Sequence, residues 1–389
     1  MYKIRTYNAI SAKGLGRFSK ETYSVNGSCT NPQAFLLRSQ NLHTEVVPDS
    51  LLAVARAGAG VNNLPVSDYT QQGIVVFNTP GANANAVKEL IVAGLLLGSR
   101  DIYGSMNYVQ TLNQIEDSAA LSMLLEKEKK RFSGTEISGK TLGVVGLGAI
   151  GSIIANLGLE LGMDVIGYDP AISVETVWQL SSLVERMENL EALLARADFV
   201  TLHVPAIPAT RHLVNAKALA GMKKTARVLN FAREDIVSTD DMITALDNGV
   251  IAGYISDFPA PGLIGRNDVL LMPHIGASTT EAEENCAIMA ANQLKDFLEN
   301  GNIHNSVNYP STKMGRNGGY RITFSNNNVP KVLGNVLSIL AEANLNVVDM
   351  VNKSRGEIAY NIIDVEGKLF DDLKDRIAAV DGVMRVRFI

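Results

Sequence analysis

From Lys140 to about Met272, short apolar runs of strand type alternate with segments whose apolar positions recur at helical spacing. The order is TLGVVGL, a helix, DVIGYD, a helix, DFVTLHVP, a helix, ARVLNFA, a helix and AGYISDF. Strands separated by helices pair in parallel through crossovers, and such sheets take ligands at their carboxyl ends. A weaker version of the rhythm starts at residue 35, passes through Phe35–Leu37, Leu51–Val54 and Ile74–Phe77, and enters a long apolar helix over Ala86–Leu97. Near residue 300 the composition shifts. Glu299–Gly319 is rich in Asn, Gly and Ser and reads as a linker. The last 70 residues then carry strand YRITF, helix VLGNVLSILAEA, strands NVVDMVNKS and EIAYNIIDVEG, helix LFDDLKDRIAAV and strand MRVRFI. That is the split-βαβ order of a ferredoxin-like unit.

Composition narrows the classes. A chain of 389 residues, 46% hydrophobic and 19% charged, is globular and long enough for two or three domains. A net charge of −5 leaves no broad positive field for nucleic acid or an anionic membrane surface. Cys29 and Cys286 lie far apart without CxxC spacing or a companion His, so neither a disulfide framework nor a metal site is expected. The N-terminal stretch lacks the apolar core of a secretory signal, and the expected compartment is the cytoplasm. The uncharged window Thr141–Leu159 has the length of a membrane span, but five glycines split it into a strand, a turn and a helix.

The turn in that window is GLGAIG. Gly146 makes the tight turn, Gly148 lets the backbone approach a pyrophosphate, and Gly151 allows close packing of helix on strand. Free N–H groups at the helix start receive the anion. Asp169 ends the next strand, 18 residues past Gly151, where a carboxylate binds both ribose hydroxyls and repels a 2′-phosphate. NAD is therefore expected rather than NADP.

A dinucleotide points to hydride transfer, and oxidation of an alcohol needs a base for its proton and a cation for its oxygen. His43, His212 and His304 stand among polar residues, whereas His203 in TLHVP and His274 in LLMPHIGAST follow strand-like runs. Arg233 in VLNFARED also ends a strand. Singly, each of these three reads equally well as a structural residue.

The order GLGAIG, Asp169, LHVPAIPAT, LNFARED, SDFPAP, PHIGAST resembles the D-isomer-specific 2-hydroxyacid dehydrogenases over roughly residues 30–300. The resemblance implies an α/β protein with a Rossmann-type doubly wound NAD domain over 98–274. It also implies a discontinuous flavodoxin-like substrate domain from 1–97 and 275–302, a linker over 303–319 and a C-terminal unit over 320–389. It makes His274 the acid–base, Arg233 the holder of the substrate carboxylate and keto oxygen, and Asp257 a contact of the nicotinamide carboxamide. It moves His203, with Pro205, to the cofactor pocket, and adds Ala149, Ile150, Asn230, Phe231, Ala232 and Gly276 to the cofactor-binding set. The family's catalytic glutamate should fall at position 262, where this chain has Gly262, and Glu234 stands in place of the usual glycine after the arginine.

The segment VARAGAGVNNLPVSDYTQQGIVVFNTPGANANAVKEL narrows the resemblance to the branch of the family that acts on 3-phospho-D-glycerate, the entry to serine synthesis. There Arg38 and Arg56 match phosphate-binding arginines, whose planar forks suit two oxygens, and Gly58, Ala59 and Gly60 form a carboxylate-cradling turn. The basic run Lys127, Lys129, Lys130 and Arg131 falls in an arm that reaches a neighbouring subunit in this family, which implies a homo-oligomer, dimer or tetramer. Residues 320–389 resemble an ACT domain, a small-ligand regulatory module. Asn326, Asn328 and Asn346 then match positions that bind an L-serine effector, while Lys331 and Asn344 replace usual glycines. Two alternatives stay open: a dehydrogenase of another D-2-hydroxy acid, and a catalytically weak NAD-binding regulatory protein.

Overall fold

The computed structural model describes residues 1–367, 369–370 and 372–389. The chain divides into two compact units, Met1–Asn83 with Thr279–Ile389, and Ala84–Ser278.

In the first unit, β1 (Tyr2–Thr6), β2 (Tyr23–Asn26), β3 (Ala34–Leu37), β4 (Ala53–Arg56) and β5 (Val75–Phe77) form a parallel sheet in the order β2-β1-β3-β4-β5. This is flavodoxin-like topology. β3 and β5 are buried throughout, which explains why they read as unbroken apolar runs. β1 and β2 carry YKIRT and YSVN, too polar to stand out in the pattern, yet Ile4 and Tyr23 enter the same core as Phe77. The Thr280–Asn300 helix lays Cys286, Ala290, Ala291, Leu294 and Leu298 on that core. Thr279 caps its start by accepting from the Ala282 amide, and Gly301 ends it at φ 73°, a left-handed turn that favours glycine.

The second unit holds β6 (Thr141–Val145), β7 (Asp164–Tyr168), β8 (Glu185–Arg186), β9 (Phe199–Leu202), β10 (Arg227–Asn230), β11 (Gly253–Ser256) and β12 (Val269–Leu271). All pair in parallel in the order β12-β11-β10-β9-β6-β7-β8. The order reverses between β6 and β9, the switch point where doubly wound sheets bind ligands. The Ala84–Ser99 helix also lies in this unit, because Val87, Ile91 and Leu95 pack with Leu142, Phe199, Leu229 and Ile255. The unit boundaries therefore fall at 83/84 and 278/279, where the sequence reading placed 97/98 and 274/275. The uncharged window Thr141–Leu159 folds as β6, the Gly turn and most of the Gly151–Glu160 helix. Among the described residues, no helix is long and apolar enough to cross a membrane.

The C-terminal part of the first unit has β13 (Tyr320–Asn327), β14 (Asn346–Arg355), β15 (Ile358–Glu366) and β16 (Val383–Phe388), with helices Val332–Glu342 and Leu373–Ala378. The antiparallel order β14-β15-β13-β16 is ferredoxin-like. One face packs Ile322, Phe324, Ile363 and Val386 under the two helices. The other brings Tyr360 and Ile362 onto Phe297, Leu298 and Tyr309 of the flavodoxin-like lobe. Arg321, wholly buried, forks onto Asp364 at 2.6 and 2.7 Å and donates to the carbonyls of Asn300, Met314 and Gly315. The 303–319 segment, expected as a linker, buries Ile303, Tyr309, Thr312 and Met314. Its polar residues are structural: the Asn308 amide accepts from the Val76 N–H and donates to the Ile74 carbonyl and Thr70 hydroxyl.

Candidate functional site

The sheet of the second unit sets one registered row across its carboxyl edge. Tyr168 pairs with Val145, Val145 with Leu202, Leu202 with Asn230, Asn230 with Ser256 and Ser256 with Leu271. The residues that follow this row are those singled out by sequence: Asp169, Gly146, His203, Arg233, Asp257 and His274. Backbone bonds knit the edge, Gly146 N–H to Tyr168, His203 N–H to Val145, Asp257 N–H to Asn230 and His274 N–H to Asp257.

Gly146 has φ 88°, and a Cβ there would sit 2.8 Å from the His203 carbonyl. A Cβ on Gly151 would meet the Gly146 carbonyl oxygen at 1.8 Å, so both glycines are dictated by packing. Gly148 differs: its missing Cβ points into open space, leaving the backbone free to be approached. Ile150 gives no side-chain cap to the Gly151–Glu160 helix, and among the described residues the amides of Gly148 through Gly151 donate to no protein acceptor. These are the orphan donors a helix start offers to an anion. The Asp169 carboxylate accepts from the Leu147 N–H at 2.8 Å and the Ala171 N–H at 2.8 Å, which fixes it beside the turn with a lone pair free on each oxygen. Donor cradle and carboxylate fit a dinucleotide with free ribose hydroxyls.

At the other half of the edge, Asn230 is fully buried and folds the 230–233 turn on itself. Its amide accepts from the Ala232 N–H and donates to the Arg233 carbonyl. Arg233 emerges half-buried, donates to the Ala232 carbonyl at 2.6 Å and makes no ion pair among the described residues. Burial holds its guanidinium below the usual arginine range. A desolvated cation without a protein carboxylate is a standing site for an anion.

Asp257, 1% exposed, spends its carboxylate on the loop after β12: one oxygen accepts from the Ile275 N–H and the other from the Gly276 N–H, both at 2.7 Å. These contacts pin His274 in a left-handed conformation, φ 57°. Its imidazole is exposed, lies 5.0 Å from the Phe258 ring, and has no hydrogen-bond partner among the described residues. His203 is the opposite case. Its Nε2 lies 2.9 Å from the Thr201 hydroxyl, and burial pushes its imidazole down to about 3. Pro205 follows in the exposed stretch whose carbonyl accepts from Thr210. Gly262 sits exposed in a 3-10 turn, Pro261–Leu263, where a Cβ would meet only the flexible Cδ1 of Ile243. Sequence reasoning missed Thr201 and Phe258, since neither neighbour has a motif of its own.

The expected substrate residues lie in the first unit. Arg56 donates through Nε to the Arg38 carbonyl at 3.0 Å, and its guanidinium fills the space beside Gly58, where a Cβ would lie 2.3 Å from Nη1. The turn is tied down by the Thr79 N–H to the Gly58 carbonyl and Asn78 to the Ala59 carbonyl, with Gly60 following. Arg38 pairs with Glu283 at 2.6 Å, a partner that sequence did not suggest. Both cysteines are free and buried.

In the C-terminal sheet, Asn326 is buried and engaged at both ends, accepting from Asn361 and donating to the Asn327 carbonyl. Asn328 is exposed and donates to the Gly356 carbonyl. Asn346 pairs with Glu366 while Asn327 pairs with Ile358, so β15 holds Asn346 and Asn328 at opposite ends, roughly 26 Å apart. Of the basic run, Lys129 pairs with Glu126, and Arg131 pairs with Glu128 and lies over Tyr108 and Phe132.

Residues 103–276 match the sequence model of the D-isomer specific 2-hydroxyacid dehydrogenase, NAD binding domain, which assigns NAD as the cofactor of this segment. A D-3-phosphoglycerate dehydrogenase from Synechocystis sp. is 37% identical over 71% of the chain and 49% of its own length. Another from Haemophilus influenzae is 32% identical over 87% of the chain and 81% of its own length. The chain thus spans about half the length of some curated relatives and most of others. Among solved structures, NAD⁺-bound 3-phosphoglycerate dehydrogenase from Entamoeba histolytica shares the fold with a TM-score of 0.62 at 22% identity, over 79% of this chain and 98% of that one. The glycine turn with its carboxylate, the registered edge and the match along most of a full-length relative lead to one assignment: the chain belongs to the D-isomer-specific 2-hydroxyacid dehydrogenase family.

Proposed function

We propose that the protein oxidises 3-phospho-D-glycerate to 3-phosphooxypyruvate with NAD, the first step of L-serine synthesis. The observation that carries this reading is the carboxyl edge of the seven-stranded sheet, where Arg233, Asp257 and His274 leave three adjacent strands. NAD, when bound, supplies the hydride acceptor, and Gly148 to Gly151 with Asp169 are the residues that would hold it. Arg233 binds the substrate carboxylate and polarises the oxygen on C2. A ring nitrogen of His274 takes the proton from the C2 hydroxyl, and Asp257 keeps that ring in place through the 274–276 loop. Arg38 and Arg56 supply the charge for a distal phosphate, which distinguishes this substrate from lactate-type acids.

The partners of the reading follow from the same chain. The helices Ile102–Gln110 and Ser118–Glu128 bury no residue and leave Tyr103, Met106 and Met123 exposed, which supports a dimer or larger homo-oligomer closed over this arm. The ferredoxin-like sheet supports an ACT role. Because Asn328 and Asn346 sit at opposite ends of β15, an L-serine effector would join them only between two copies. A cytoplasmic location fits two free, buried thiols.

NADH formation measured with 3-phosphoglycerate, D-lactate and 2-hydroxyglutarate, with and without L-serine, tests the proposal. Preference for phosphoglycerate supports it, and preference for either other acid transfers the site to that substrate. The lone imidazole of His274 favours one second reading, a catalytically weak NAD-binding regulator, and steady turnover of phosphoglycerate excludes it.

A further inference from the structure

The Arg38–Glu283 pair is at odds with a simple phosphate-binding role for Arg38. At 2.6 Å it is a close ion pair, with 39% and 46% of the two side chains exposed, so solvent and solutes reach it. Glu283 stands in the first turn of the Thr280–Asn300 helix, and Arg56 is held beside it through the Arg38 carbonyl. Both arginines and Glu283 lie near enough to the buried Cys286 for their charges to act on its thiol, so the three charged groups converge on one place. A distal phosphate arriving there meets a cation already engaged by a carboxylate.

We propose that Glu283 sets the phosphate affinity of this subsite: its carboxylate holds Arg38 until a doubly charged phosphate displaces it. The inference rests on the phosphoglycerate reading above. Two acceptors then compete for one guanidinium, and the dianion prevails because it brings more charge and more acceptor oxygens than a carboxylate. The exchange is inexpensive because a half-exposed ion pair is weak. Glu283 is thus a positioning residue whose cost falls on phosphate binding alone.

Glu283→Gln tests this against Glu284→Gln, which removes the same charge one residue on, where Glu284 pairs instead with Lys13 at 2.7 Å. The expected result is a KM for 3-phosphoglycerate lowered about threefold to fivefold in Glu283→Gln, the size of a lost half-exposed ion pair. Inhibition by inorganic phosphate should tighten by a similar factor. KM for D-glycerate, which lacks the phosphate, should not follow. An unchanged phosphoglycerate KM, an equal change for D-glycerate, or an equal change in Glu284→Gln would overturn the inference while leaving the enzyme a phosphoglycerate dehydrogenase. A wild-type protein that does not oxidise phosphoglycerate would overturn the functional reading and this inference together.

Discussion

Two histidines leave the same parallel sheet at its carboxyl edge, and they could hardly be less alike. His203 follows β9 at the switch point, hydrogen-bonded to Thr201 and so desolvated that it stays neutral far below neutrality. His274 follows β12, exposed, with no polar partner among the described residues, on a loop that Asp257 grips through two amides. A motif scan ranks them equally, since each is a histidine after an apolar strand. Their surroundings separate them: a group that is to exchange protons has to reach solvent or substrate, as His274 does, whereas the His203 ring is held neutral by burial.

The sharpest way to break this contrast is to remove each ring. His274→Gln should lower kcat/KM by about 10²–10⁴, the usual share of a positioned acid–base, and His203→Gln by much less, as steady-state NADH formation will show. Comparable losses would erase the distinction. Asp257→Asn keeps the size of the clamp but leaves one of the Ile275 and Gly276 amides without an acceptor. A lost buried bond of about 1–3 kcal/mol lets His274 wander, and activity should fall roughly tenfold to a hundredfold with the fold intact by circular dichroism.

The third test uses acid. His203 in the unfolded chain binds its proton near pH 6.5, and in the folded chain only near 3, so between these values the unfolded state takes up more protons. Stability from this residue is complete above about pH 6.5 and drains as pH falls toward 3, at up to about 1.4 kcal/mol per pH unit, the slope that one proton sets. Denaturant melts at stepped pH should show this slope in the wild type and its loss in His203→Gln. The smallest effect concerns backbone. Lys331 shares with His274 a left-handed conformation, φ 78°, but among the described residues its side chain makes no cap bond. Lys331→Gly should stabilise the protein by about 1 kcal/mol in thermal melts.

How much was legible in the sequence follows from what each feature depends on. The Rossmann half was readable because its central strands are buried and read as apolar runs, and because its glycines fall at the fixed spacing of one short turn. The same holds for Asn344, whose place at a helix end agrees with its φ of 52°. β1 and β2 were not readable, because YKIRT and YSVN owe their strand character to pairing with β3 and with each other. The 303–319 segment misled for a related reason: Asn308 looks like a loop residue and serves as a strand-end partner over 230 residues away in sequence. Glu283 was invisible since a long-range ion pair leaves no periodicity behind.

The terminal module has a consequence for anyone who would treat it as a detachable sensor. Its Arg387 donates to the carbonyls of Phe297 and Leu298, Arg321 to that of Asn300, and Tyr360 to that of Gly301. The last turn of a helix laid down by the earlier lobe is therefore finished by side chains that arrive only after residue 320. A ribosome must pass residue 387 before that helix end is fully bonded, and separating the module from the lobe would leave the carbonyls of 297–301 without these donors rather than free an independent domain.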